Sequence, residues 1–260
     1  MLFGDVSFSV ASHAAWVPGI DSAEAWQQWI NGHVAAAGSG EPAVKSMPPM
    51  LRRRASPAGK IALETAYAAH PLSPLDDGAG ADDIPLVFAS RHGECARSVE
   101  LLQELVAGSA LSPTSFSLSV HNANVGLFSI ARGMRGNGIA VAAGASTVEH
   151  ALIEACGLLA DGAAQVLVVM ADGPLPSIFD GFRDCDDQPF GWAWLIQGAD
   201  EQAALPVLSL QWSADEQPPQ APDAIEPGGL DVLRFFLSAP DQAGLVRRAN
   251  GRRWHWIRHA

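Results

Sequence analysis

The stretch from Phe116 to Gly173 constrains the fold more than any other, because it reads as helix, strand, helix, strand with a Gly-rich turn at its centre. The apolar run Ile139 to Ala143, bounded by Gly138 and Gly144, has the length and flanks of a buried parallel strand. The more β-branched run Gln165 to Met170 reads as a second. Between them Ser146 and Glu149 have the spacing of a capping box, and Val148, Ala151, Leu152, Ala155 and Leu159 recur at the helical period. The pattern predicts a strand that turns sharply into a helix at its carboxyl end. In open α/β sheets such a turn presents unpaired N–H groups and a partial positive charge, which suits an activated nucleophile or a bound ligand.

The rest of the chain extends this alternation. Leu2 to Val10 reads as a strand, and Ser22 to Val34 as a helix with Trp26, Trp29, Ile30 and His33 on one face. Met47 to Arg54 is an extended connector. Ser56-Pro57 opens an Ala-rich helix ending at Ala69, with proline where its missing N–H costs least. Pro71 to Asp83 is a loop, Ile84 to Ala89 a buried strand, and the helix after it should turn Val99, Leu102 and Val106 inward. Further strands are expected at Phe190 to Ile196 and Pro206 to Gln211, and helices at Leu230 to Leu237 and Ser238 to Asn250. This order implies an α/β fold with helical layers on both faces of a mainly parallel sheet. It also divides the chain into residues 1–212, a Pro-rich linker over 213–229, and a helical segment with a basic aromatic tail over 230–260.

With 260 residues, 48% of them hydrophobic, the chain can bury one good core, and it contains no apolar run of membrane-spanning length. The first residues lack a basic n-region, so a signal peptide is not expected and a cytoplasmic location is. Three cysteines, Cys95, Cys156 and Cys185, form neither a metal-ligand spacing nor an even disulfide set, and no cofactor fingerprint is present. A net charge of −12 argues against a nucleic-acid partner. Residues 241–260 run the other way: five arginines face the single acid Asp241, with Trp254 and Trp256 interleaved. They read either as a docking tail for an acidic partner or as a terminal strand whose tryptophans pack on the protein's own core.

The turn Ala142-Ala143-Gly144-Ala145-Ser146-Thr147, preceded by Asn122-Ala123-Asn124-Val125-Gly126-Leu127-Phe128-Ser129-Ile130 and Gly133-Met134-Arg135-Gly136, resembles the nucleophile turn and preceding helix of β-ketoacyl synthases. Counting back from Gly162, which matches the family's glycine before the next strand, puts the nucleophilic cysteine at Ala145. A methyl group cannot be acylated. The resemblance implies a three-layer thiolase-like N-terminal half with a mainly parallel five-stranded sheet, and the family's second half with its two catalytic histidines has no counterpart, since His255 and His259 stand in no histidine-glycine motif. The chain is most similar to the short chain-length-factor-like subunits of bacterial aryl polyene pathways.

That resemblance implies a catalytically inactive partner of a full-length ketosynthase, served by an acyl carrier protein through the complex. It implies that Gly138, Ile139, Ala140, Val141, Ala142 and Ala143 form an edge strand at the dimer axis, which a proline at Val141 should disrupt. It also implies that Asn122, Ala123, Val125, Gly126 and Phe128 close the neighbour's acyl pocket. No catalytic residue, metal or cofactor is expected. Two other readings stay open: a hydrolase or acyltransferase using Ser146 or Cys95 with His92 or His121, with Arg91-His92-Gly93-Glu94 as an alternative site, and a homodimeric scaffold.

Overall fold

The computed structural model describes residues 2–35, 38, 40–71, 84–200, 202–216, 226–239 and 242–259. Its elements are β1 (Leu2–Trp16), α1 (Ala23–Ile30), α2 (Pro49–Arg52), α3 (Pro57–Ala69), β2 (Leu86–Ala89), α4 (Cys95–Val106), α5 (Pro113–Ser117), α6 (Ala123–Arg132), β3 (Gly138–Val141), α7 (Thr147–Ala160), β4 (Gln165–Asp172), β5 (Phe190–Gly198), β6 (Val207–Ala214), α8 (Gly228–Leu237), β7 (Gly244–Ala249) and β8 (Arg252–His259). Most of the loop expected at Pro71 to Asp83, and of the linker expected at 213–229, lies outside the described residues.

The strands form one eight-stranded sheet in the order β3-β2-β4-β5-β1-β6-β8-β7. Among the described residues only β2 with β3 and β2 with β4 pair in parallel and the other pairings are antiparallel, so the five-stranded, mainly parallel sheet expected from sequence is instead a mixed one. The reason lies in the connections. Helical crossovers separate β2, β3 and β4 in the chain, whereas β7 and β8 are joined by a tight turn, which can only build antiparallel pairs. β1 outruns its expected end at Val10 because a bulge between Val10 and Ser12 lets it serve two neighbours, pairing with β6 early and β5 late.

Side chains alternate across β4. Val166, Val168 and Met170 meet one core with Trp29, Leu152, Trp192, Trp194, Leu233 and Trp254; Leu167, Val169 and Ala171 meet the other with Ile61, Ala66, Phe88 and Phe128. The sheet thus lies between α1, α7 and α8 on one face and α3 and α6 on the other, the layering of a thiolase-like α/β fold. α3 begins where its sequence predicts, with Ser56 accepting the Gly59 N–H at 2.9 Å and Pro57 in the first turn. The capping box at Ser146 is absent: Ser146 makes no side-chain cap, because the Glu149 carboxylate is held by Arg247 instead.

Three further expectations change. Met47 to Arg54 contains a helical turn, α2. Ser238 to Asn250 is not a helix: it includes β7, which turns into β8 through Asn250 and Gly251, both at positive φ (52° and 70°), the backbone of a two-residue hairpin turn. In α4 the predicted inward stripe faces out, with Leu102 58% and Val106 89% exposed while Leu101 is buried. Among the described residues α4 leans mainly on α5.

Candidate functional site

At the end of β3, Gly144 takes a left-handed backbone (φ 55°) that turns the chain into a short 3-10 segment, Gly144–Ser146, and then into α7. Ala145, at the expected nucleophile position, is half-buried there. The turn is tightly bonded. Thr147 Oγ1 accepts from the Ala143 N–H at 3.0 Å and donates to the Gly144 carbonyl at 2.7 Å, and Ser146 Oγ donates to the Ala143 carbonyl at 3.2 Å.

The β7–β8 hairpin closes over this turn from about a hundred residues away in sequence. Asn250 Nδ2 donates to the Ala143 carbonyl (2.6 Å) and to Ser146 Oγ (2.8 Å), and Arg247 Nη2 donates to the Ala145 carbonyl (3.1 Å). Arg247 is itself buried, pairing with the fully buried Glu149 and, at 3.2 Å, with Asp231 of α8. Burial opposes the guanidinium's charge, but the two carboxylates outweigh it and hold its pKa above the ordinary value. Gly228 at the start of α8 leaves space for the Arg247 guanidinium, into which a Cβ there would project. Sequence reasoning missed Arg247 and Asn250. Asn250-Gly251 was a legible hairpin signal, and Trp254, Arg253, Trp256 and His255 alternate at strand period.

The basic aromatic tail accordingly resolves into strands whose Trp254 and Trp256 are fully buried, and Arg258 donates to the carbonyls of Phe235, Phe236 and Ser238 at the end of α8.

The carboxyl ends of β2 and β4 hold a second polar cluster. Asp172 is a buried residue of β4 that accepts from Ser90 Oγ (2.8 Å) and the Arg91 N–H (2.9 Å). Arg91 is paired with Asp187 (2.9 Å) and Asp184 (3.1 Å) and donates to Cys185. Burial pushes the Asp172 carboxyl up to about 6, against the opposing bonds from Ser90 and Arg91. The native chain therefore holds this proton more tightly than the unfolded one, and the stability it contributes is lost as pH rises from about 4 through about 6. Between pH 4 and pH 7 Asp172→Asn should gain on the order of 2–3 kcal/mol of stability relative to the wild type, checked by urea midpoints at the two pH values.

The residues of the alternative catalytic readings do not assemble. Ser146 is fully buried and bonded to Asn250, and among the described residues no hydrogen bond joins Ser146 or Cys95 to His92 or His121. His121 Nε2 bonds the Val141 carbonyl at 3.2 Å, and its ring lies against Gly93 where a Cβ would collide. Burial raises the pKa of Cys95, and pushes the Cys156 and Cys185 thiols up to about 12. Beside His121 and Asn124, a cavity of about 20 Å³ has room for a water-sized group and not for an acyl chain. Among the described residues no His, Cys, Asp and Glu side chains group as a metal site, and no helix is long and apolar enough to cross a membrane.

The expected pocket wall divides. On α6, Ala123, Val125 and Phe128 point into the chain's own core; Phe128 is fully buried, edge-on to Tyr67 at 5.0 Å. Asn122 and Gly126 share the opposite face with Ile130, which is 68% exposed and was not singled out from sequence. Gly138, Ile139, Ala140 and Val141 form the terminal strand β3, bonded to β2; Ala142 and Ala143 lie beyond it. Gly138 lets α6 approach, since a Cβ there would sit 2.5 Å from Val125 Cγ1. The carbonyls of Asn137 and Val141 accept from Leu86 (2.8 Å) and Ser90 (3.1 Å), so the outward backbone groups belong to Gly138 and Ala140. A proline at Val141 would damage the chain's own ladder; the outward N–H groups are those of Gly138 and Ala140, of which Ala140 lies within the strand.

The family described as beta-ketoacyl synthase, N-terminal domain, matches residues 26–257, and the chain belongs to that family. Within it, the chain is similar over almost its whole length to a chain from the structure of a ketosynthase (ApeO) in complex with its chain length factor (ApeC) from Xenorhabdus doucetiae. That match has a TM-score of 0.78 and 25% identity and covers 97% of this chain and 99% of that one. The ishigamide ketosynthase/chain length factor (TM-score 0.60, 14% identity, 81% of this chain and 68% of that one) shares the fold. So does a beta-ketoacyl synthase from Burkholderia phymatum (0.61, 12%, 81% and 65%). A comparison with curated proteins gives no match.

Proposed function

We propose that this chain is a non-catalytic, chain-length-factor-type partner that pairs with a full-length ketosynthase and shapes the pocket holding its growing acyl or polyene chain, which an acyl carrier protein supplies. The observation that carries this reading is Ala145: where a ketosynthase needs a thiolate, the corner offers a methyl group in a turn closed by the chain's own Arg247 and Asn250. The exposed stripe of α4 (Leu102, Leu105, Val106) supports an apolar partner surface. Co-expression with a full-length ketosynthase, followed by size exclusion, tests the pairing; two separately eluting proteins would end it.

Ala145→Cys should not restore condensation by this chain alone, because a thiol without a base and an enolate-stabilising site has little to work with. Turnover of acyl and malonyl carrier substrates by the purified variant should equal the no-enzyme blank, and turnover above it would sink the non-catalytic reading.

On α6 the wall facing a partner is the Asn122–Gly126–Ile130 face. Gly126→Leu in the complex should shorten the product and slow late extensions about tenfold, the effect of roughly 1–3 kcal/mol of overpacking, with little loss of stability. Phe128→Ala, which empties this chain's core, should cost about 3–5 kcal/mol of stability and leave the length distribution unchanged. Mass spectrometry of carrier-bound products separates the two, and an unchanged length in Gly126→Leu would remove the pocket-shaping role.

A further inference from the structure

We propose that the outer face of the sheet at β6, β8 and β7 carries an anion site, built by Arg253, His255, Gln211 and Ser213, that takes a phosphate group. Trp254 and Trp256 point into the core, so Arg253 and His255 between them point out, and both are exposed. Strand register places Ser213 directly opposite Arg253 and Gln211 opposite His255. The four side chains line one cavity of about 250 Å³, with Trp212 as its remaining wall.

Each of the four supplies a donor: a guanidinium fork, a ring N–H, an amide and a hydroxyl. None of them is engaged in a hydrogen bond or ion pair among the described residues, although nearly every other arginine of β7 and β8 is occupied. Across the other side of β8, Arg248 stands directly opposite Arg253. Like charges in that position are unfavourable, and a bound anion would relieve them. Two acids flank the cavity without lining it: Asp215, 3.8 Å from Arg248, and the exposed Asp5, opposite Gln211. In a chain of net charge −12 this concentration of donors cannot follow from overall composition. Donors converging from two strands suit the tetrahedral oxygens of phosphate, and the cavity leaves room for an organic group esterified to it.

The test titrates the intact protein with inorganic phosphate and, separately, with glycerol 3-phosphate, each against chloride at equal ionic strength, following the backbone amide resonances of residues 211–213 and 253–255 by NMR. Saturable one-to-one binding is expected, weakened about tenfold or more in both Arg253→Gln and His255→Gln with melting temperatures unchanged. Tighter binding of glycerol 3-phosphate would assign the site to a phosphate ester, and tighter or equal binding of inorganic phosphate to the free ion. Unsaturable shifts, shifts equal to those in chloride, or wild-type affinity in Arg253→Gln would overturn the proposal.

Discussion

Arg247→Leu should destabilise the chain by about 3–5 kcal/mol, the cost of leaving a buried charge without its partner. Glu149 is fully buried, and apart from Arg247 the contact to its carboxylate is Trp256 Nε1 at 3.4 Å; its Oε2 has no hydrogen-bond partner among the described residues. The same substitution frees Asp231, whose carboxyl burial raises and Arg247 holds down, and removes the bond to the Ala145 carbonyl. The loss should appear as a lowered urea midpoint by tryptophan fluorescence, since Trp254 and Trp256 sit in the same core. Replacing both partners distinguishes the pair from simple packing: Arg247→Leu with Glu149→Leu should recover most of the loss, because hydrophobic groups of similar volume can replace a buried ion pair at little cost. A single variant within 1 kcal/mol of wild type would mean that the pair does not fasten the hairpin to α7.

The parts of this architecture that were legible in the sequence are those whose cause is local. The Ser56 cap and Pro57 start α3, the apolar periodicity of Val148 to Ala155 makes α7, and the run from Gln165 marks β4, a strand buried on both faces. The corner at Ala145 belongs with them, since a strand, a left-handed glycine and a helix follow one another within a few residues. What closes the corner was not legible, because Arg247 meets Glu149 across 98 residues and a local pattern says nothing about which strand will arrive. The hairpin that delivers it was hidden differently: Ser238 to Asn250 reads as a helix and residues 241–260 as a docking tail or a single terminal strand, and the Asn250-Gly251 turn marks where there are two strands. In α4 the helical period was correct and the buried side was not. Periodicity identifies an apolar face but does not say whether the chain itself or a partner covers it.

Ala140→Pro should abolish co-purification with a full-length ketosynthase if pairing runs through β3. β3 ends the sheet, and its inward groups are already used, with Leu86 and Ser90 bonded to the Asn137 and Val141 carbonyls. The outward N–H of Ala140 is therefore a donor that a second strand would take, and proline removes it while leaving the bonds to β2 in place. An apolar edge with open backbone groups is a hazard for a lone chain, which is the physical reason to expect a cover. Val141→Pro is the matched control: it strikes the ladder to β2 and should lower the melting temperature of the isolated chain, whereas Ala140→Pro should leave it nearly unchanged. Ile130→Glu adds a second route to the same answer, placing a charge on the exposed face of α6 without touching the strand. If the complex elutes intact with all three variants, pairing does not use this edge, and the exposed Leu102, Leu105 and Val106 of α4 become the surface to alter next.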